Sequence, residues 1–193
     1  MCHETIYRYI YGSNKKALYQ LLAYKKVNRG KRYGRRKRSC KYKMLTSINE
    51  RSSHVLDREE LGYWEGDTGD TIAFSNVHHK NVTTLVERKT RFTMLLCQNQ
   101  TRKSQKVAGT IQNVIKLQPK RLWKSLTLDQ GEFAYADMID RHTPCSTYYC
   151  DPRSPWQWGT NENTNGRLRR YLPKTIDICN VSQNDLDNIT KKN

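Results

Sequence analysis

Three carboxylates stand out by their settings. Asp67 follows the strand-like string "GYWEG", Asp129 ends "KSLTLD" directly before a glycine-containing turn, and Glu162 lies among amides in "SPWQWGTNENTNGRLRRYLP". Brought together within a basic surround, such groups are what phosphoryl transfer to or from DNA needs. Oxygen ligands suit Mg²⁺ or Mn²⁺, and two such ions roughly 3.5 to 4 Å apart can activate an attacking hydroxyl and stabilise a leaving oxygen. Without cations the three charges repel and raise one another's pKa. Spacing alone leaves the ordinary alternative open, in which a strand-end Asp is a turn or cap residue and a helix Glu is solvated.

The basic surround is evident in the composition. The 193-residue chain carries a formal net charge of +17, and residues 1–60 hold sixteen Lys/Arg against five Asp/Glu. Residues 25–43, "KKVNRGKRYGRRKRSCKYK", hold eleven Lys/Arg, no acid and almost nothing apolar. This reads as an extended linker that tracks phosphate, because Lys and Arg that neutralise phosphates release condensed counterions. A merely solvated basic loop is the plainer alternative. An anionic membrane surface would also attract this charge. However, no apolar run approaches the roughly 18 residues of a span, and no signal peptide opens the chain. The expectation is a soluble, intracellular protein with a nucleic-acid partner. Six cysteines without a CxxC pair suggest neither a disulfide framework nor a zinc knuckle. The nearest metal pattern, His142, Cys145 and Cys150, lacks a fourth ligand.

The carboxylates need elements to position them. "HETIYRYIYG" and "NKKALYQLLAYKK" read as two short helices broken at Gly12. "GYWEGDT" reads as a strand, and "NVTTLVER" and "FTMLLCQN", joined by "KTR", as a hairpin. In "TRKSQKVAGTIQNVIKLQP", Val107, Ala108, Ile111, Val114 and Ile115 form one helical stripe ended by Pro119. "KSLTLD" is a strand, "EFAYADMIDRH" a helix and "STYYCDP" a strand. A helix covers at least residues 160–171 and is closed by Pro173. The order β, β-hairpin, α, β, α, β, α predicts an α/β or α+β fold, a mixed sheet with helices packed on it. Asp67 and Asp129 then sit at strand ends, where such sheets gather ligands. Glu162 falls on the first turns of the late helix. Trp64 reads as core, and Trp156 as packed rather than stacked on a base.

The strings "HETIYRYIY", "GYWEGDT", "TLVERKTRF", "LTLDQG" and "YYCDPRSPWQWGTNENTNGRLRRYLPK" together resemble the transposases of the insertion-sequence-thirty family, DDE recombinases with a retroviral-integrase-like, RNase H-like core. The resemblance runs in order from the first residues to about Lys174. It implies that Asp67, Asp129 and Glu162 are the catalytic, metal-binding triad, holding two Mg²⁺ (or Mn²⁺) ions. The 33-residue separation of Asp129 from Glu162 agrees with the family. By the same route Asn161, Asn163 and Asn165 orient Glu162 or bond to DNA, helix capping or a place on the polar surface being their plainer reading. Arg167, Arg169 and Arg170 grip phosphates, alongside Arg35, Arg36, Lys37 and Arg38 of the linker. The implied partners are DNA, as element terminal repeats and target duplex, and further copies of the chain. The implied location is the bacterial cytoplasm, at the nucleoid.

The implied organisation is a helix-turn-helix remnant over residues 1–24, a basic linker over 25–55 and an integrase-like core over 56–193. Three departures accompany the resemblance. Gly131 abuts Glu132 where the family places one more residue; Trp158 stands where a basic residue is expected; and the chain stops at Asn193, before the family's closing helices. The sequence thus reads as a transposase shortened at both ends, catalysing metal-dependent DNA cleavage and strand transfer. The alternative reading is an inactive remnant that only binds DNA.

Overall fold

The computed structural model describes residues 3–12, 16–22, 25–27, 46–68, 81–98, 104–129, 137–151, 154–173 and 176–192. The basic run containing Arg35, Arg36, Lys37 and Arg38, and the turn at 130–136 after Asp129, lie outside these residues.

Five strands build one mixed sheet: β1 (Tyr63–Thr68), β2 (Asn81–Glu87), β3 (Thr93–Gln98), β4 (Ser125–Leu128) and β5 (Ser146–Tyr149), in the order β3-β2-β1-β4-β5. The first three pair antiparallel, as a hairpin and its neighbour must, whereas β1, β4 and β5 run parallel. Parallel pairs need crossovers. These are supplied by α2 (Ser104–Lys116) between β3 and β4 and by α3 (Asp137–His142) between β4 and β5. The remaining helices are α1 (His3–Gly12), α4 (Gly159–Leu168) and α5 (Gln183–Lys192).

Strand alternation sends the two faces of the sheet to different layers. On one face Trp64, Leu85, Leu126 and Leu128 pack with Val107, Ala108, Ile111 and Ile115 of α2 and Ile139 of α3. Trp64 stacks on Trp123, with ring centroids 4.2 Å apart, and its indole N–H donates to the Leu122 carbonyl at 2.7 Å. Gly66 lies on this face because nothing larger fits: an added Cβ would stand 2.7 Å from Leu128 Cδ2. On the other face Val82 and Leu95 pack under Leu168, Leu172, Ile178 and Leu186, the layer of α4 and α5.

Both edges of the sheet are occupied. Gln183 of α5 donates to the Leu95 carbonyl (2.7 Å) and accepts from the Cys97 N–H (3.0 Å), standing in for a strand beside β3. At the far edge Ser47 bridges Tyr149, and the Tyr149 N–H donates to the Thr46 carbonyl at 2.9 Å. Covered edges of this kind remove a template for aggregation. From there, 3₁₀ turns at Ile48–Glu50 and Ser53–Leu56 lead into β1, with Ile48 buried against Cys150 and Trp158.

Two elements differ from expectation. The second N-terminal helix is a 3₁₀ stretch, Lys16–Leu21. Leu21 is largely exposed and Leu18 and Leu22 are only half-buried, so little apolar surface is buried there to support a longer α-helix. The late helix ends at Leu168, three residues earlier than predicted, and 169–172 wind into a turn that brings Leu172 into the core before Pro173.

Candidate active site

Asp67 and Asp129 become neighbours through register. Gly66 pairs with Leu128 in the parallel β1–β4 ladder, so one residue further the two aspartates leave adjacent strands side by side, at the carboxyl ends. Strands in a sheet lie about 4.8 Å apart. Their face is the one carrying Glu65 and Thr127, itself a register pair, and α4 covers it.

The underside of α4 explains how it packs there. Thr160, Asn161, Thr164, Asn165 and Leu168 are its buried residues, a helical stripe that is almost wholly polar. Two of its members are tied to β1. The Asn161 backbone N–H donates to Glu65 Oε2 (2.9 Å), and Asn165 Nδ2 donates to Asp67 Oδ2 (2.7 Å). Asn165 therefore fixes the orientation of Asp67. Glu65, fully buried, also accepts from Arg88 Nη1 at 2.5 Å in a buried ion pair. The carboxylate at the first turn of α4 suits the positive end of the helix and holds that turn on the sheet. Beyond it Arg51 Nη1 donates to Thr127 Oγ1 at 2.7 Å.

This arrangement sets the local electrostatics. Burial pulls Arg51 and Arg88 below the ordinary arginine range, and for Arg51 the Arg88 charge acts in the same direction. Burial pushes the Cys150 thiol up to about 12, with the charges of Asp129 and then Glu65 adding to it.

The sequence-predicted residues thus fall into separate groups. Asp67, Asp129, Asn161 and Asn165 meet at one end of β1, and Asn161 and Asn165 are buried with their bonds directed into the fold. Glu162 is exposed, on the side of α4 next to that stripe and one turn before Asn165. Arg167 and Arg170 face outward, while Arg169 is 3 % exposed. Trp64 is core, as expected. Trp156 is not: it is 75 % exposed. Trp158 instead fills the space against Ile48 and Cys150. The residues missed by sequence reasoning are Glu65, Arg88 and Arg51. Glu65 had one legible signal, since two residues before Asp67 on a strand is the same face. Its partners come from distant segments, so nothing in the sequence gave them.

For divalent cations the donors are suitable in kind, oxygen only. In addition, Thr84, opposite Asp67 in the β1–β2 ladder, has a buried hydroxyl without a hydrogen-bond partner. In arrangement they are incomplete. Among the described residues no three His, Cys, Asp or Glu side chains lie close enough together to hold a metal ion. Asp67 and Asp129 lie at the ends of neighbouring strands, and Glu162 is exposed on α4.

The sheet order, with its antiparallel half and parallel half and helices on both faces, is RNase H-like. It superposes on a chain of the cryo-electron-microscopy structure of the simian T-cell lymphotropic virus intasome in complex with PP2A regulatory subunit B56 gamma. The TM-score is 0.52 at 16 % identity, covering 68 % of this chain and 47 % of that one. The likeness is one of fold. No family model matches the chain. Its sequence is 36 % identical over 192 residues to the transposase InsI for insertion sequence element IS30C of Escherichia coli K12, covering 95 % of this chain and 49 % of that protein. It is 38 % identical over 192 residues to the transposase for IS1086 of Cupriavidus metallidurans, covering 97 % and 55 %. The chain is similar to transposases of the IS30 family, and it spans about half the length of the curated relatives it matches.

Proposed function

We propose that this chain carries the catalytic core of an insertion-sequence transposase that cleaves DNA and transfers strands, with Asp67, Asp129 and Glu162 as its reactive carboxylates. The observation that carries the reading is the placement of Asp67 beside Asp129 at the ends of parallel strands, under the helix that bears Glu162. When bound, Mg²⁺ or Mn²⁺ at these carboxylates would supply charge neutralisation and an activated oxygen nucleophile for in-line displacement at phosphorus.

The chain's own residues do the positioning. Asn165 holds Asp67 by one oxygen, leaving the carboxylate aimed along the strand end. Glu65 and Arg88 anchor the first turn of α4, the turn that carries Glu162. Arg167 and Arg170, outward on the following turn, are placed for DNA phosphates, whereas Asn161 and Asn165 act on the carboxylates. The linker at 25–43 and the segment before it add sequence-independent affinity for duplex. Terminal repeats and target duplex are the proposed partners, and synapsis of two DNA ends calls for more than one copy of the chain.

The test is nicking and strand transfer on labelled duplex carrying the flanks of the gene's own locus, in Mn²⁺, beside Asp129→Asn. Products that disappear in the variant support the triad. Binding of the duplex with no products in either protein would leave a noncatalytic DNA-binding relic.

A further inference from the structure

Beside Glu65 of β1, a cavity of about 430 Å³ opens between the 3₁₀ turns at Ile48–Glu50 and Ser53–Leu56 and the start of α4. Its wall holds three guanidiniums, Arg51, Arg58 and Arg88, against one carboxylate, Glu65. Both oxygens of that carboxylate are already engaged, by Arg88 and by the Asn161 N–H. The Arg88 Nε is buried without a hydrogen-bond partner. The three cations thus outnumber the one carboxylate: Arg51 is half-buried and Arg58 is exposed at the rim, so the excess positive charge of this wall favours an anion. Arg58 is held at φ 58°, a left-handed backbone that arginine seldom adopts. On the rim, Trp156 offers its indole to solvent at 75 % exposure, although the chain buries its other three tryptophans.

We propose that this cavity receives one nucleotide of a DNA strand, its phosphate between Arg51 and Arg58 and its base against Trp156. The inference rests on the reading that the chain acts on DNA. The volume exceeds what a bare phosphate needs and suits a phosphate with its sugar and base. An exposed aromatic beside a basic groove is the usual platform for an unpaired base, because every base has a stacking face. Glu65, in the wall, lies two residues from Asp67 along β1, about 7 Å at the rise of a strand, so the bound nucleotide would adjoin the reacting phosphate.

Binding of the full chain to duplex containing a single unpaired 2-aminopurine, beside the fully paired duplex, tests this. Expected are about tenfold tighter binding of the unpaired duplex and quenching of its fluorescence. Trp156→Ala should remove both, and Arg58→Gln should lower the salt slope by about one. Both side chains are exposed, so circular dichroism should be unchanged. A preference that survives Trp156→Ala overturns the pocket while leaving DNA binding intact. Failure of both duplexes to bind overturns the proposed function with it. Competition by thymidine monophosphate that leaves the duplex bound would assign the cavity to a free mononucleotide and overturn the DNA-strand proposal.

Discussion

An amide from α4 holds the first aspartate. Asn165 donates to Asp67 at 2.7 Å from a buried position, so it acts on the carboxylate rather than on a ligand. Asn165→Ala should lower metal-dependent cleavage about 10- to 100-fold, the usual effect of removing a partner of a metal ligand. It should also raise the Mn²⁺ concentration needed for half-maximal cleavage. An unaltered metal dependence would mean that the bond only packs α4. Asp67→Asn and Asp129→Asn should both reduce cleavage to background, and full cleavage in either would remove that residue from the site. Gly66, between Glu65 and Asp67, has a steric role. Gly66→Ala forces a Cβ against Leu128 and should cost about 1–3 kcal/mol. For a chain of this length that is several degrees in Tm.

At the scale of elements, α4 is held to β1 by charge and amides more than by hydrocarbon. Glu65 receives Arg88 from the end of β2 and the N–H of Asn161 from α4, joining three segments through one buried carboxylate. Glu65→Ala leaves Arg88 buried without its counter-charge and should destabilise the fold by about 3–5 kcal/mol, measured by urea unfolding. Glu65→Gln keeps an acceptor and should cost less. If Glu65→Ala matched the wild type in stability, the clamp would carry no weight. Glu65→Gln separates folding from function. A folded variant with weakened cleavage would tie the seating of α4 to the placement of Glu162.

The whole molecule responds to pH through its buried thiols. Burial pushes Cys145 and Cys150 up to about 12, with Asp140 adding to the first and Asp129 to the second. An unfolded cysteine ionises near 8.5, so the folded state holds these protons more tightly. Their contribution to stability is complete below about pH 8.5 and is lost as the pH rises from there toward 12. The urea midpoint should therefore fall more steeply with pH above 8.5 in the parent protein than in Cys145→Ala/Cys150→Ala. Parallel curves would show that the thiols ionise freely. The net charge of +17 acts at the same scale. Neutralising Arg35 to Arg38 should flatten the dependence of DNA affinity on salt, and an unchanged slope would mean that this run does not touch phosphate.

The order of strands and helices was legible because each follows from local periodicity. The hairpin of β2 and β3, the apolar stripe of α2 and the strand ending at Leu128 depend on near neighbours in sequence. The aspartates were legible for the same reason, as acids at the ends of apolar strands, and the family resemblance joined Glu162 to them. The end of α4 was read too late, because Leu168 and Leu172 are drawn to a core that sequence spacing does not display. Trp156 and Trp158 carry the same side chain two residues apart, yet only tertiary packing decides that one is open and the other buried. The Glu65–Arg88 pair, the amide bond on Asp67 and the arginine-lined cavity join segments far apart in the chain. By itself, the sequence determined which local elements form and which residues carry charge. The tertiary structure decided which charges meet, because burial and register depend on contacts that local patterns do not encode.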